Sequence, residues 1–60
     1  MSRYRLIVGE VGNEQGHVVP TRAGSLKGAR RALRREIDKY NGDGWGGVEY
    51  LHVNGEWEAI

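Results

Sequence analysis

Residues 25–41, Ser-Leu-Lys-Gly-Ala-Arg-Arg-Ala-Leu-Arg-Arg-Glu-Ile-Asp-Lys-Tyr-Asn, read as a helix, and no other stretch of the 60-residue chain does. At about 100° per residue, Leu26, Ala29, Leu33, Ile37 and Tyr40 fall within one stripe about 80° wide, with Ala32 on its flank. Lys27, Arg30, Arg31, Arg34, Arg35, Asp38 and Lys39 take up the rest of the circumference. One side is built to pack, and the other presents a broad basic surface. Ser25 suits the first turn as a hydrogen-bond acceptor, and Asn41-Gly42 tolerates the left-handed backbone that follows a last turn. Gly28 stands where a capping box needs Glu or Gln, and Lys27 opposes the helix dipole, so the start is weaker than the stop.

Upstream of the helix, residues 3–11 alternate well enough for a first strand, with Tyr4, Leu6 and Val8 on one side and Arg3, Arg5, Ile7 and Val11 on the other. Gly12-Asn13-Glu14-Gln15-Gly16 is a turn rich in residues that accept positive φ. His17-Val18-Val19 follows as a short second strand that Pro20, having no N–H, confines to an edge or ends. Residues 21–24 connect to the helix.

Downstream, residues 41–47 (Asn-Gly-Asp-Gly-Trp-Gly-Gly) read as a glycine-rich loop, and residues 48–53 and 56–60 as strands around Asn54-Gly55. That dipeptide predicts a two-residue type I′ hairpin, with Val53 opposite Glu56, His52 opposite Trp57, Leu51 opposite Glu58 and Tyr50 opposite Ala59. The register puts Val48, Tyr50, His52, Trp57 and Ala59 on one side and Glu49, Leu51, Val53, Glu56, Glu58 and Ile60 on the other. The aromatic side, free of acids, belongs against the helix. The expected fold is therefore α+β: a small antiparallel sheet, ββαββ, with one amphipathic helix packed across one face.

Sixty residues make a single small domain, which buries only about 60% of the surface its unfolded chain exposes. Without cysteine there is no disulfide or thiolate metal site to reinforce it, which suits a cytoplasmic protein and leaves self-association as reinforcement. No apolar run approaches the roughly 18 residues of a membrane span, and no signal-peptide core is present, so a soluble protein without a membrane partner is expected. The formal charge of +1 hides an asymmetry, since residues 25–41 carry six basic and two acidic side chains and the remainder three and six. Seven of the nine basic residues are Arg, which favours bidentate pairing with carboxylate or phosphate.

The candidate partner-binding residues are therefore Arg30, Arg31, Arg34 and Arg35, together with Trp45. The pairs Lys27–Arg31, Arg30–Arg34, Arg31–Arg35 and Arg35–Lys39 each cost about 0.2–0.5 kcal/mol of like-charge repulsion, which Arg34–Asp38 and Glu36–Lys39 offset only in part. An acidic protein surface or a phosphate backbone would relieve the rest; a helix face that simply meets water is the plainer alternative to both. No zinc ligands, helix-turn-helix pair or aromatic platform of a base-reading module is present. Trp45, flanked by glycines, either caps the small core or projects as an anchor. On the far side of the sheet, Ile7, Leu51, Val53 and Ile60, with Val11, form a candidate interface for a homodimer among Arg3, Arg5, Glu49, Glu56 and Glu58; isolated exposed aliphatics are the competing explanation.

Catalysis and cofactors find little support. The residues around 38–49 do not fit a calcium loop, because Tyr40, Gly42 and Asp43 stand at its third, fifth and sixth positions, and they lack the Gly-Lys-Ser/Thr of a P-loop. His17 and His52 have no evident nucleophile or carboxylate orienter, and His52 reads as a hydrogen-bonded core histidine. The glutamates of an open sheet face lack the cleft that tunes carboxylate pairs. No metal, no cofactor and no enzymatic activity are expected.

Ser-Leu-Lys-Gly-Ala-Arg-Arg-Ala followed by Gly-Asp-Gly-Trp-Gly, within residues 24–60, resembles small uncharacterised proteins encoded by bacteriophages, especially those of GC-rich hosts. A fainter likeness is to antitoxins of the HicB type, whose hairpin and helix come in the same order. The phage likeness implies a non-catalytic accessory protein that binds a host or viral component in the host cytoplasm. The readings to test are a protein-binding module, a nucleic-acid-backbone binder and a structural homodimer.

Overall fold

The computed structural model describes residues 2–60. Strand β1 (Tyr4–Glu10) turns into β2 (His17–Pro20); helix α1 (Leu26–Asp38) crosses back, and β3 (Gly44–Leu51) and β4 (Trp57–Ala59) complete the sheet. The sheet is antiparallel in the order β2-β1-β3-β4, and α1 packs on β1 and β3. This is the expected ββαββ architecture. No helix among the described residues is long and apolar enough to cross a membrane.

The central pair is β1 with β3, in register from Tyr4 opposite Tyr50 to Glu10 opposite Gly44. Alternation along both strands sends Leu6, Val8 and Val48 toward the helix, where they are buried with Ala29. Leu26, Ala32, Leu33 and Tyr40 pack around this nucleus, as the helical stripe requires. The Ser25 hydroxyl accepts the Gly28 N–H at 3.1 Å and starts α1. The regular helix ends at Asp38, three residues before the expected Asn41. The 39, 40 and 41 amides bond three residues back instead of four, and Asn41 (φ 54°) and Gly42 (φ 93°) then reverse the chain.

Two expectations fail at β3 and β4. The first concerns the glycine-rich segment expected as a loop, because residues 44–47 belong to β3. Gly44 and Gly46 face the helix, and a Cβ on Gly46 would lie 2.8 Å from Leu33 Cδ1 and 2.6 Å from the Ile7 carbonyl oxygen. These glycines let Leu33 and Ile37 settle directly onto the strand backbone. The strand ends at Leu51, leaving His52 and Val53 to the turn.

The second failure is the hairpin register. Leu51 pairs with Trp57, Tyr50 with Glu58 and Glu49 with Ala59, one residue away from the two-residue loop. The Gly55 N–H donates to His52 O (3.0 Å), His52 N–H donates to Glu56 O (2.8 Å), and only Gly55 of the dipeptide has positive φ, 90°. This is a type I turn closed by a glycine bulge. The Asn54 side chain accepts the Glu56 N–H at 3.0 Å and favours this alternative. A one-residue slip exchanges faces, so Trp57 and Ala59 leave the helix side and Glu58 joins it. Gly55→Ala should cost about 1–2 kcal/mol, the penalty of a left-handed non-glycine residue. Asn54→Asp, which keeps the acceptor, should cost much less. Chemical denaturation reads both losses, and a Gly55→Ala variant as stable as wild type would mean that the turn does not need positive φ at residue 55.

Candidate functional site

The outward face of α1 is the best-defined chemical feature of the surface. Arg30, Arg31, Arg34 and Arg35 are all exposed, and none of them forms an ion pair among the described residues. The compensating pair Glu36–Lys39 does form, at 2.7 Å, whereas Arg34 and Asp38 do not meet as an ion pair. The opposite stripe of α1 is anchored on β1 and β3, so the guanidinium groups ride on a helix whose orientation is set by the core. Over 13 residues this makes a basic ridge about 20 Å long.

Trp45 lies apart from that ridge. It is on the other face of the sheet, its indole folded over Gly9 and Gly16 and its Nε1–H donating to Glu10 O (3.0 Å) and Asn13 O (3.1 Å). It neither caps the core beneath the helix nor projects as an anchor. It fastens the β1–β2 turn to β3. The bare Cα of Gly9, directly opposite Trp45 in the ladder, makes room for the ring.

Of the expected far-face interface, the structure keeps Ile7 and Leu51 on that face, both half-buried. Val53 is 94% exposed in the hairpin turn, Val11 is 70% exposed beyond the end of β1, and Ile60 follows β4 with its N–H donating to Val48 O. Strand alternation puts Ile60 with Glu58 on the helix side. The face is completed instead by Trp45 and by Trp57, which the register slip delivers there. Arg5 ties its outer part together, with its Nε donating to Glu49 Oε1 at 2.7 Å and its guanidinium 4.2 Å above the Trp57 ring. Only the true register could have revealed this cluster.

His52 is also displaced from its expected setting. It stands at the hairpin mouth, opposite Glu56 and not Trp57, half-exposed, with Nε2 2.8 Å from Glu58 Oε1 and its ring edge-on to Tyr50. It therefore has the carboxylate neighbour that the sequence did not suggest, but on open surface. No three His, Cys, Asp or Glu side chains converge among the described residues as a metal site requires.

No known protein family, curated protein or solved structure matches this chain. The functional reading therefore rests on the geometry of its surfaces.

Between α1 and β2 runs a second feature contiguous with the basic ridge. Because α1 covers β1 and β3 but not β2, a groove of about 350 Å³ opens along the flank of the helix. Leu6, Val19 and Ala32 line it together with Pro20 and Thr21 on the β2 side, and Arg35, Glu36 and Lys39 stand along its helical side.

Proposed function

We propose that this protein is a non-enzymatic binding module, a phage-encoded accessory protein that lays the Arg-rich face of α1 on an acidic surface of a host or viral protein and acts by occupying it. The observation that carries this reading is the set of four exposed guanidinium groups, unpaired among the described residues, on a helix held by its opposite side. They offer bidentate donors to carboxylates without first breaking internal ion pairs. A protein partner suits the charge layout better than a nucleic acid does. The duplex carries a charge about every 1.7 Å and would extend past the basic ridge, whereas the residues outside 25–41 hold six acidic and only three basic side chains.

The four-Arg→Ala variant separates function from folding. Removing four like-charge i,i+4 pairs should raise stability by about 1–2 kcal/mol, so the melting temperature should rise. Binding should fall by about fourfold at the least and up to several-hundredfold, since four exposed ion pairs at roughly 0.2–1 kcal/mol each are lost. The test is affinity capture from host lysate with wild type and variant, alongside labelled mixed-sequence DNA and RNA at about 50 and 200 mM salt. The reading expects a protein retained by wild type alone and no nucleic-acid binding at the lower salt. Salt-steep DNA or RNA binding that the variant loses would replace it with the nucleic-acid-backbone reading.

A further inference from the structure

The groove between α1 and β2 adds an apolar component to the charged ridge. Leu6, Val19, Pro20 and Ala32 give it an apolar lining, broken by Thr21 at the end of β2, and Arg35 and Lys39 stand beside it on the helix. Arg31 lies one helical turn before Arg35 on the same flank. The one carboxylate on that side, Glu36, is engaged by Lys39 at 2.7 Å, which leaves Arg35 as the cation there without an internal ion pair among the described residues. The groove exists because the helix sits on the central strands and leaves the inner side of β2 uncovered, so Val19 is only half-buried.

We propose that this groove receives one apolar side chain of an acidic peptide segment, whose flanking carboxylates pair with Arg31 and Arg35. The inference rests on the binding reading above and specifies the ligand of the same helix: an acidic segment with an apolar anchor, not a uniformly charged one. Charge complementarity selects the segment, and the apolar floor selects the anchor. A long-chain polyanion without such an anchor would use the ridge and leave the groove empty.

The probes are a short glutamate-rich peptide with one central leucine and its twin with serine in that position, titrated into the ¹⁵N-labelled protein. The leucine peptide should bind wild type about tenfold more tightly than its twin, as expected for one apolar side chain leaving water. Its additional shift changes should centre on the amides of Val19 and Ala32. Ala32→Gln, which fills the groove without altering charge, should abolish the preference while preserving affinity for the serine peptide. Val19→Thr should reduce the preference through the opposite wall, and both variants are checked for a wild-type thermal transition.

Equal binding of the twins to wild type, with both lost in the four-Arg→Ala variant, would overturn the groove and spare the helix. A leucine preference mapping to Trp45 and Trp57 would likewise overturn the groove in favour of the far sheet face. Failure of both peptides to bind would overturn the groove and the acidic-partner reading together.

Discussion

Leu33→Asp is expected to abolish the cooperative thermal transition. Leu33 is part of the layer packed on Leu6, Val8, Ala29 and Val48, and its Cδ1 lies over the bare Cα of Gly46. Losing a leucine from such a seam costs roughly 1.5–3 kcal/mol, and the carboxylate adds the penalty of charge placed against apolar neighbours. A single-core domain of this size has only about 3–5 kcal/mol to lose. Circular dichroism with heating is sufficient to read the outcome, and Leu33→Met, which retains volume and apolarity, should keep a sharp transition. A cooperative melt for the Asp variant would mean that α1 is not seated on β1 and β3 through this stripe.

The second large effect distinguishes two neighbouring glycines. A Cβ at Gly46 would meet Ile7 O at 2.6 Å and Leu33 Cδ1 at 2.8 Å, whereas one at Gly47 would meet nothing within 4 Å. A leucine tip can swing aside, but the Ile7 carbonyl belongs to the central strand and cannot yield without shifting the sheet. Gly46→Ala should therefore cost about 1–3 kcal/mol, the range of overpacking. Gly47→Ala should stabilise by roughly 0.4–1 kcal/mol, because it restricts the unfolded chain without strain. Urea denaturation of both variants reads the sign directly. Equal effects would remove the close contact between α1 and β3 that this strand provides.

These glycines also mark where sequence reasoning reached its limit. Composition around Trp45 resembles a loop because glycine is locally permissive. Its actual use here is to let another element approach, as Leu33 and Ile37 do at Gly46 and Gly44 and as the Trp45 ring does at Gly9. A signal was present: Gly44 and Gly46 alternate with the period of a strand, and Leu33 and Ile37 recur at the helical spacing that would place them above. Neither pattern is decisive until the two elements are known to touch.

The basic ridge was fully legible, since exposure of Arg30, Arg31, Arg34 and Arg35 follows from helical geometry once the apolar stripe is assigned. The groove was not, because it depends on which strands the helix covers. The Arg5–Glu49–Trp57 cluster was hidden by one choice in the hairpin. Asn54-Gly55 permits both a two-residue and a bulged three-residue loop, and the difference turns Trp57 from one face of the sheet to the other.

By itself the sequence determined the order of the elements, the helix with its Ser25 cap, the two faces of β1 and the concentration of positive charge on α1. These depend on neighbours a few residues apart, where periodicity and capping chemistry act. Tertiary structure alone decided the register of β4, the seat of Trp45 and the uncovered flank beside β2. Each depends on how closely distant backbones approach, a steric condition that emerges only when helix and sheet pack together.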